Sequence, residues 1–197
     1  HRLVRALEAM PGKAHPMDVL QAGLSMLGMF HEKPDPRDPE AVDEAFVRLL
    51  AAAPVIVATF DRLRNGKDLV APEADLGHAA HFLWRLNGAR PDDLAARVFD
   101  AAPLLHAAHG MNASTFTARV IAGTGSDIYS AVVGGIGALR GPKHGGANEV
   151  SFEILSRYAN PDEAEADILK RVAAKEVIIG FGHPVYTVAD PRNAVIK

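Results

Sequence analysis

The chain has 197 residues, 24 acidic and 21 basic side chains, a formal net charge of −3, 48% apolar residues and no cysteine. That length can bury a substantial core in one or two domains, and the charge balance leaves no basic stripe of the kind that neutralises a phosphate backbone, which argues against nucleic acid as a partner. The lack of cysteine excludes a disulfide framework, thiolate catalysis and cysteine-ligated zinc, in keeping with a reducing cytoplasm.

In chain order, HRLVRALEAM opens in mid-helix with neither an initiator methionine nor a cap, so further sequence is expected before His1. A helix is expected at about 17–30. Asp38-Pro39-Glu40 then supplies an N-cap, a first-turn proline and an acid at the positive helix end. Val42, Ala45, Phe46, Leu49, Leu50, Ala53, Val57 and Phe60 follow with helical spacing, up to a stop at Gly66. The longest apolar run, LLAAAPVIVA at 49–58, lies in this segment. It contains Pro54, falls well short of the roughly 20 residues needed to cross a bilayer, and is expected as a buried helix.

Further helices are expected at about 73–87, 92–107, 113–122, 127–136 and 146–158, each bounded by Gly, Pro or Asn. Asn160-Pro161-Asp162-Glu163 repeats the start signal and leads into Ile168, Leu169 and Val172, with Lys170, Arg171 and Lys175 as a basic last turn. EVIIG at 176–180 is expected as a single short strand, and DPRNAVIK stops on a helix-like stretch without a cap. The glycine-rich stretch from Gly134 to Gly146 interrupts helical pattern on both sides and is the candidate domain boundary, well suited to a hinge.

The chemistry-bearing residues gather around glycines. In GALRGPKHGGANEV (137–150), His144 precedes Gly145-Gly146. The plain reading is a tight turn before a helix whose start Asn148 and Glu149 complete; the functional reading is a backbone that a ligand can approach closely. IIGFGHPVY (178–186) repeats the arrangement at His183, and Asp190-Pro191-Arg192 combines a turn with a guanidinium suited to a carboxylate substrate.

His106 and His109 share a helix face at i,i+3, but no third and fourth metal ligand stands at a readable spacing, so no metal is expected. His78 and His81, with the same spacing beside Phe82 and Trp84, read as a helix face packed on the core. AGTGSD (122–127) lacks the lysine and strand of a phosphate loop and reads as a helix stop followed by an N-cap at Ser126 or Asp127. No G-x-S-x-G elbow is present, which excludes a serine hydrolase of that type.

Taken together, LLHAAHGMNASTFTARVIAGTGSDIYSAVVGGIGALRGPKHGGANEV (104–150) and EVIIGFGHPVYTVADPRNAVIK (176–197) resemble the citrate synthase family, and within it most closely the branch that makes 2-methylcitrate. The resemblance implies an all-α, multi-helical fold, with residues 1–143 forming part of a large helical domain and 144–197 opening a small one. It implies His144 and His183 as catalytic histidines, the first on the thioester carbonyl of an acyl-CoA and the second on the ketone oxygen of oxaloacetate. His109, Asn112, His183 and Arg192 would bind oxaloacetate. Val177, Ile178, Ile179, Gly180, Phe181 and Gly182 would lie against the adenine of coenzyme A.

The implied reaction condenses propionyl-CoA with oxaloacetate in a cytoplasmic homodimer, with coenzyme A as a substrate group and no cofactor. The alternatives are condensation of acetyl-CoA to citrate, or a helical scaffold that keeps the fold without catalysis. Ala108 and Gly110 stand where relatives often carry acids. The family's catalytic aspartate and a further arginine match no residue here, and Asp190 belongs to the DPR motif. A polypeptide ending at Lys197 is therefore expected to show no turnover.

Overall fold

The computed structural model describes residues 2–107, 110–182 and 186–196. Among them, all regular structure is α-helical: α1 (Arg2–Glu8), α2 (Pro16–Phe30), α3 (Pro39–Arg64), α4 (His78–Asn87), α5 (Asp93–His106), α6 (Ala113–Gly123), α7 (Ile128–Leu139), α8 (Ala147–Leu155), α9 (Pro161–Ala173) and α10 (Asn193–Ile196). Residues up to Ala138 form one compact unit and Leu139–Val195 a second.

The helix starts at Asp38, Asp127 and Asn160 follow the caps read from the sequence, and Asp92 is a further cap. Asp38 accepts from the amides of Glu40 and Ala41, Asp92 from that of Ala95 at 2.7 Å, and Asp127 from that of Ser130 at 3.0 Å. Asn160 and Glu163 form a reciprocal box, Asn160 Oδ1 accepting from the Glu163 amide while Glu163 Oε2 accepts from the Ala159 amide. Each cap satisfies amides that would otherwise lack an intrahelical partner.

The core of the first unit is built by α1, α2, α3 and α7: Leu7, Val19, Leu24, Leu49, Ile56 and Phe60 enclose Tyr129, which is 2% exposed. Tyr129 reaches the core because Gly28 faces it. A Cβ on Gly28 would lie 2.9 Å from Tyr129 Cβ and Cγ, so the glycine sets how closely α2 and α7 pack. The apolar run at 49–58 is amphipathic rather than wholly buried: Leu49, Ile56 and Ala58 face the core while Leu50 is half exposed. No described helix is long and apolar enough to cross a membrane.

Arg62 is buried at the end of α3. Its Nε donates to the Asp68 carbonyl and its Nη1 to the Leu86 carbonyl at 3.0 Å. The guanidinium thus ties the segment after α3 to the last turn of α4, where carbonyls carry the negative end of the helix dipole.

Two expected elements differ. EVIIG forms no strand; residues 176–178 are irregular and 179–180 form a turn. A lone strand has nowhere to place its backbone hydrogen bonds, and Gly180 at φ +101 supports the turn closed by the Phe181 amide on the Ile178 carbonyl instead. The helix expected from 73 begins at His78, because Glu73 and Asp75 are drawn onto Arg90 rather than into a first turn. On α4 the buried residue is Ala79, whereas His78 is exposed and His81 only partly buried, so the face expected to pack through its histidines packs beside them.

Candidate functional site

His144 sits in a tight turn that runs directly into α8. Its amide donates to the Gly141 carbonyl at 2.9 Å, the Gly146 amide donates to the same carbonyl at 3.2 Å, and the His144 carbonyl accepts from Ala147. The two following glycines are needed by the backbone itself. A Cβ on Gly145 would fall 2.6 Å from the Leu139 carbonyl oxygen, and one on Gly146 would fall 2.6 Å from that of Arg140. Real Cβ atoms do not approach so closely, so a side chain at either position would force this turn open and move His144. Asn148 and Glu149 are exposed in the first turn of α8.

The segment 177–182 packs against that same helix. Gly180 lies so close to α8 that a Cβ there would be 2.5 Å from Ser151 Oγ. Ile178 is buried and anchors the segment, whereas Val177 and Phe181 are three-quarters exposed. Gly180 and Gly182 both adopt positive φ. The result is a shaped loop with accessible backbone, held beside the helix that begins at the His144 turn.

Arg192 follows a turn in which the Asp190 carboxylate accepts from the Arg192 amide at 2.9 Å. The guanidinium folds back on the same carboxylate, with Nε 3.0 and 3.1 Å from its two oxygens and Nη2 bonded to Oδ2. This hydrogen bonding raises the Arg192 pKa above its ordinary value. The clamp fixes the plane of the fork through Nε and Nη2, so that Nη1 is the donor group beyond it.

Asn112 belongs to the first unit. It caps α6, its Oδ1 accepting from the Thr115 amide at 2.9 Å and from Ser114 Oγ at 2.8 Å. Its oxygen is committed to the cap, and Nδ2 is the donor it can offer elsewhere. His109 and His183 lie outside the described residues, as does Ala108. His106 is exposed, its Nδ1 2.6 Å from the Ala102 carbonyl oxygen. Among the described residues no group of three or more His, Asp or Glu side chains could hold a metal ion.

Sequence reasoning missed a cluster just ahead of the loop. Arg171 Nε donates to Glu176 Oε2 at 3.0 Å, and the Glu176 amide donates to the Arg171 carbonyl at 3.0 Å. Tyr158 OH donates to Asp167 Oδ2 at 2.6 Å. The Asp167 bond, with burial, raises the Tyr158 pKa, while its neighbour Arg171 acts to lower it. Arg171 read as one of several dipole-matching cations on α9, and only the tertiary fold singles it out.

Comparison with known proteins shows the family of the chain. The family model described as the citrate synthase C-terminal domain matches residues 1–197. The chain is 45% identical to a citrate synthase from Deinococcus radiodurans, covering 100% of this chain and 52% of that protein. It is 42% identical to a 2-methylcitrate synthase from Shewanella oneidensis, covering 99% and 52%. The crystal structure of citrate synthase from Thermotoga maritima superposes with a TM-score of 0.83 at 36% identity, covering 98% of this chain and 50% of that one. The chain thus spans about half the length of the curated relatives it matches, and with its helical fold and full-length match to the family model it belongs to the citrate synthase family.

Proposed function

We propose that the full-length protein carrying this chain condenses an acyl-CoA with oxaloacetate, and that its preferred acyl group is propionyl, giving 2-methylcitrate and free coenzyme A. The observation that carries the reading is the packing of the 177–182 loop against the helix launched by the His144 turn, which sets a histidine and a backbone-rich loop on one scaffold.

In this reading His144 hydrogen-bonds the thioester carbonyl while a carboxylate base removes the α-proton, stabilising the enol or enolate. That base comes from the part of the relatives that this chain does not span. The α-carbon then attacks the ketone carbon of oxaloacetate. His183 polarises the ketone oxygen and protonates the alkoxide, and water cleaves the thioester to release the thiol of coenzyme A. Two histidines suit these steps because imidazole titrates near neutrality and donates from a fixed nitrogen. His109, Asn112 and Arg192 would bind the dianionic oxaloacetate, and Val177, Ile178, Ile179, Gly180, Phe181 and Gly182 would receive the adenine. Residues 1–143 would belong to the larger helical lobe and 144–197 to the smaller.

The protein would act as a cytoplasmic homodimer, for which the exposed Phe116 and Val120 of α6 offer an apolar face. Relatives named citrate synthase match as well as those named 2-methylcitrate synthase, which supports acetyl-CoA as the second reading. One methylene is discriminated by only about 1–3 kcal/mol of pocket fit. Thiol release by the full-length protein, measured with propionyl-CoA and acetyl-CoA at saturating oxaloacetate, tests the choice. A higher kcat/KM for propionyl-CoA supports the proposal, a higher one for acetyl-CoA selects citrate, and no oxaloacetate-dependent thiol from either leaves a non-catalytic scaffold.

A further inference from the structure

We infer that Arg171 is a positioning residue for the acyl-CoA loop, acting through Glu176 and braced by Tyr158. The inference rests on the reading of 177–182 as the coenzyme A segment and adds what holds that segment in shape. Glu176 is the residue immediately before the loop. It is fixed to Arg171 twice, by its side chain at 3.0 Å and by its amide to the Arg171 carbonyl at 3.0 Å. Lys175, between them, takes the left-handed conformation at φ 58, so the chain reverses sharply as it leaves α9.

The side-chain bond is what aims the exit from this reversal. A left-handed non-glycine residue is strained and persists only where its surroundings hold it. Here the Lys175 amide donates to the Val172 carbonyl and Glu176 is bonded twice to Arg171. Asp167 stands one helical turn before Arg171 on α9 and fixes the Tyr158 phenol oxygen at 2.6 Å, and after Glu176 the phenol is the second group that raises the Arg171 pKa. The Arg171 side chain is 16% exposed, and Nη1 is buried with no acceptor among the described residues.

A buried unpaired donor costs stability. The guanidinium bears that cost while its Nε holds Glu176, so its place in the fold is read from what it positions rather than from how fully it is bonded. Beyond Glu176 the loop has two further anchors, the buried Ile178 and the contact of Gly180 with Ser151. The Arg171 clamp therefore controls Val177 and the entry angle of the loop, while the far half is held by α8.

The test compares Arg171→Met, Arg171→Lys and Glu176→Gln with the parent, all in the full-length protein. Two readouts are taken: thiol-release kinetics, and hydrogen exchange at the amides of 177–182. Arg171→Met should raise KM for acyl-CoA about tenfold with KM for oxaloacetate and kcat within twofold, and should speed exchange at 177–179 more than in α2 and α3. Arg171→Lys, which keeps a cation beside Glu176, should recover most of both effects, and Glu176→Gln should show a smaller version of the same pattern.

Unchanged exchange at 177–179 in Arg171→Met would overturn the inference. So would equal changes in both KM values, or loss of kcat alone. If the parent itself releases no thiol with oxaloacetate, the functional reading fails on its own account, and the exchange data still decide whether Arg171 holds the loop.

Discussion

Asp190 holds the Arg192 guanidinium by its edge, with Nε 3.0 and 3.1 Å from the two carboxylate oxygens. In the proposed site, the cation offered to a substrate carboxylate would thereby be kept in one plane before the substrate arrives, at the expense of part of its charge. Removing the clamp's charge while keeping its shape separates these effects. Asp190→Asn in the full-length protein should raise KM for oxaloacetate about tenfold, in line with the loss of one charge-assisted hydrogen bond, while KM for acyl-CoA stays unchanged. Initial-rate kinetics with each substrate varied in turn would check it. A lower KM for oxaloacetate would mean that Asp190 competes with the substrate rather than orienting the arginine.

Gly28 and Tyr129 make the tightest test of the core. Gly28→Ala places a Cβ 2.9 Å from Tyr129 Cβ and Cγ, closer than real Cβ atoms come, so α2 or the buried tyrosine must shift. Overpacking of this kind costs about 1–3 kcal/mol, read as a lower urea midpoint at unchanged slope.

Arg62 is a buried cation satisfied by carbonyls rather than by an acid. Arg62→Met keeps most of the apolar stem and removes every donor, leaving the Leu86 and Asp68 carbonyls without their partner. The expected loss is about 2–4 kcal/mol, measured in the same unfolding experiment, with increased exchange at the end of α4.

His81 adds a pH dependence of known sign. Partial burial, then the neighbouring charges of Arg85 and His78, hold its pKa below the ordinary 6.5. The unfolded chain therefore binds more protons than the folded one as pH falls through about 6.5, and folding stability declines in that window. His81→Gln should flatten this part of the profile, with the smaller difference between pH about 7.5 and about 5.5 seen in the fluorescence of Trp84 on the same helix. An identical slope in both proteins would remove His81 as the cause.

Much of this molecule was legible because its helix signals are local. Asp38-Pro39, Asp92, Asn112 and Asn160-Pro161 each carry the cap and the start in a few residues, and the structure uses each as a cap. Where a local signal competed with a distant partner, the distant partner won. Pro72-Glu73 resembles a helix start, but Glu73 and Asp75 bind Arg90, some seventeen and fifteen residues away. EVIIG has strand composition, but a strand needs a neighbour and the nearest scaffold is the side of α8. The glycines after His144 read both as a tight turn and as room for a ligand, and the carbonyls of Leu139 and Arg140 give the turn its physical reason. The Arg171 cluster ties α9 to Tyr158 before it and Glu176 after it, and the pairs Tyr158–Asp167 and Arg171–Glu176, nine and five residues apart, follow no helical spacing.

The most direct measurement of the central claim is oxaloacetate-dependent thiol release by the full-length protein, compared with its His144→Gln variant. The parent should release coenzyme A steadily, and kcat should fall at least about 100-fold in the variant, the scale expected when a group that stabilises the developing enolate is lost. Comparable kcat in the two proteins would contradict the assignment of His144, and with it the role given to the turn that holds it.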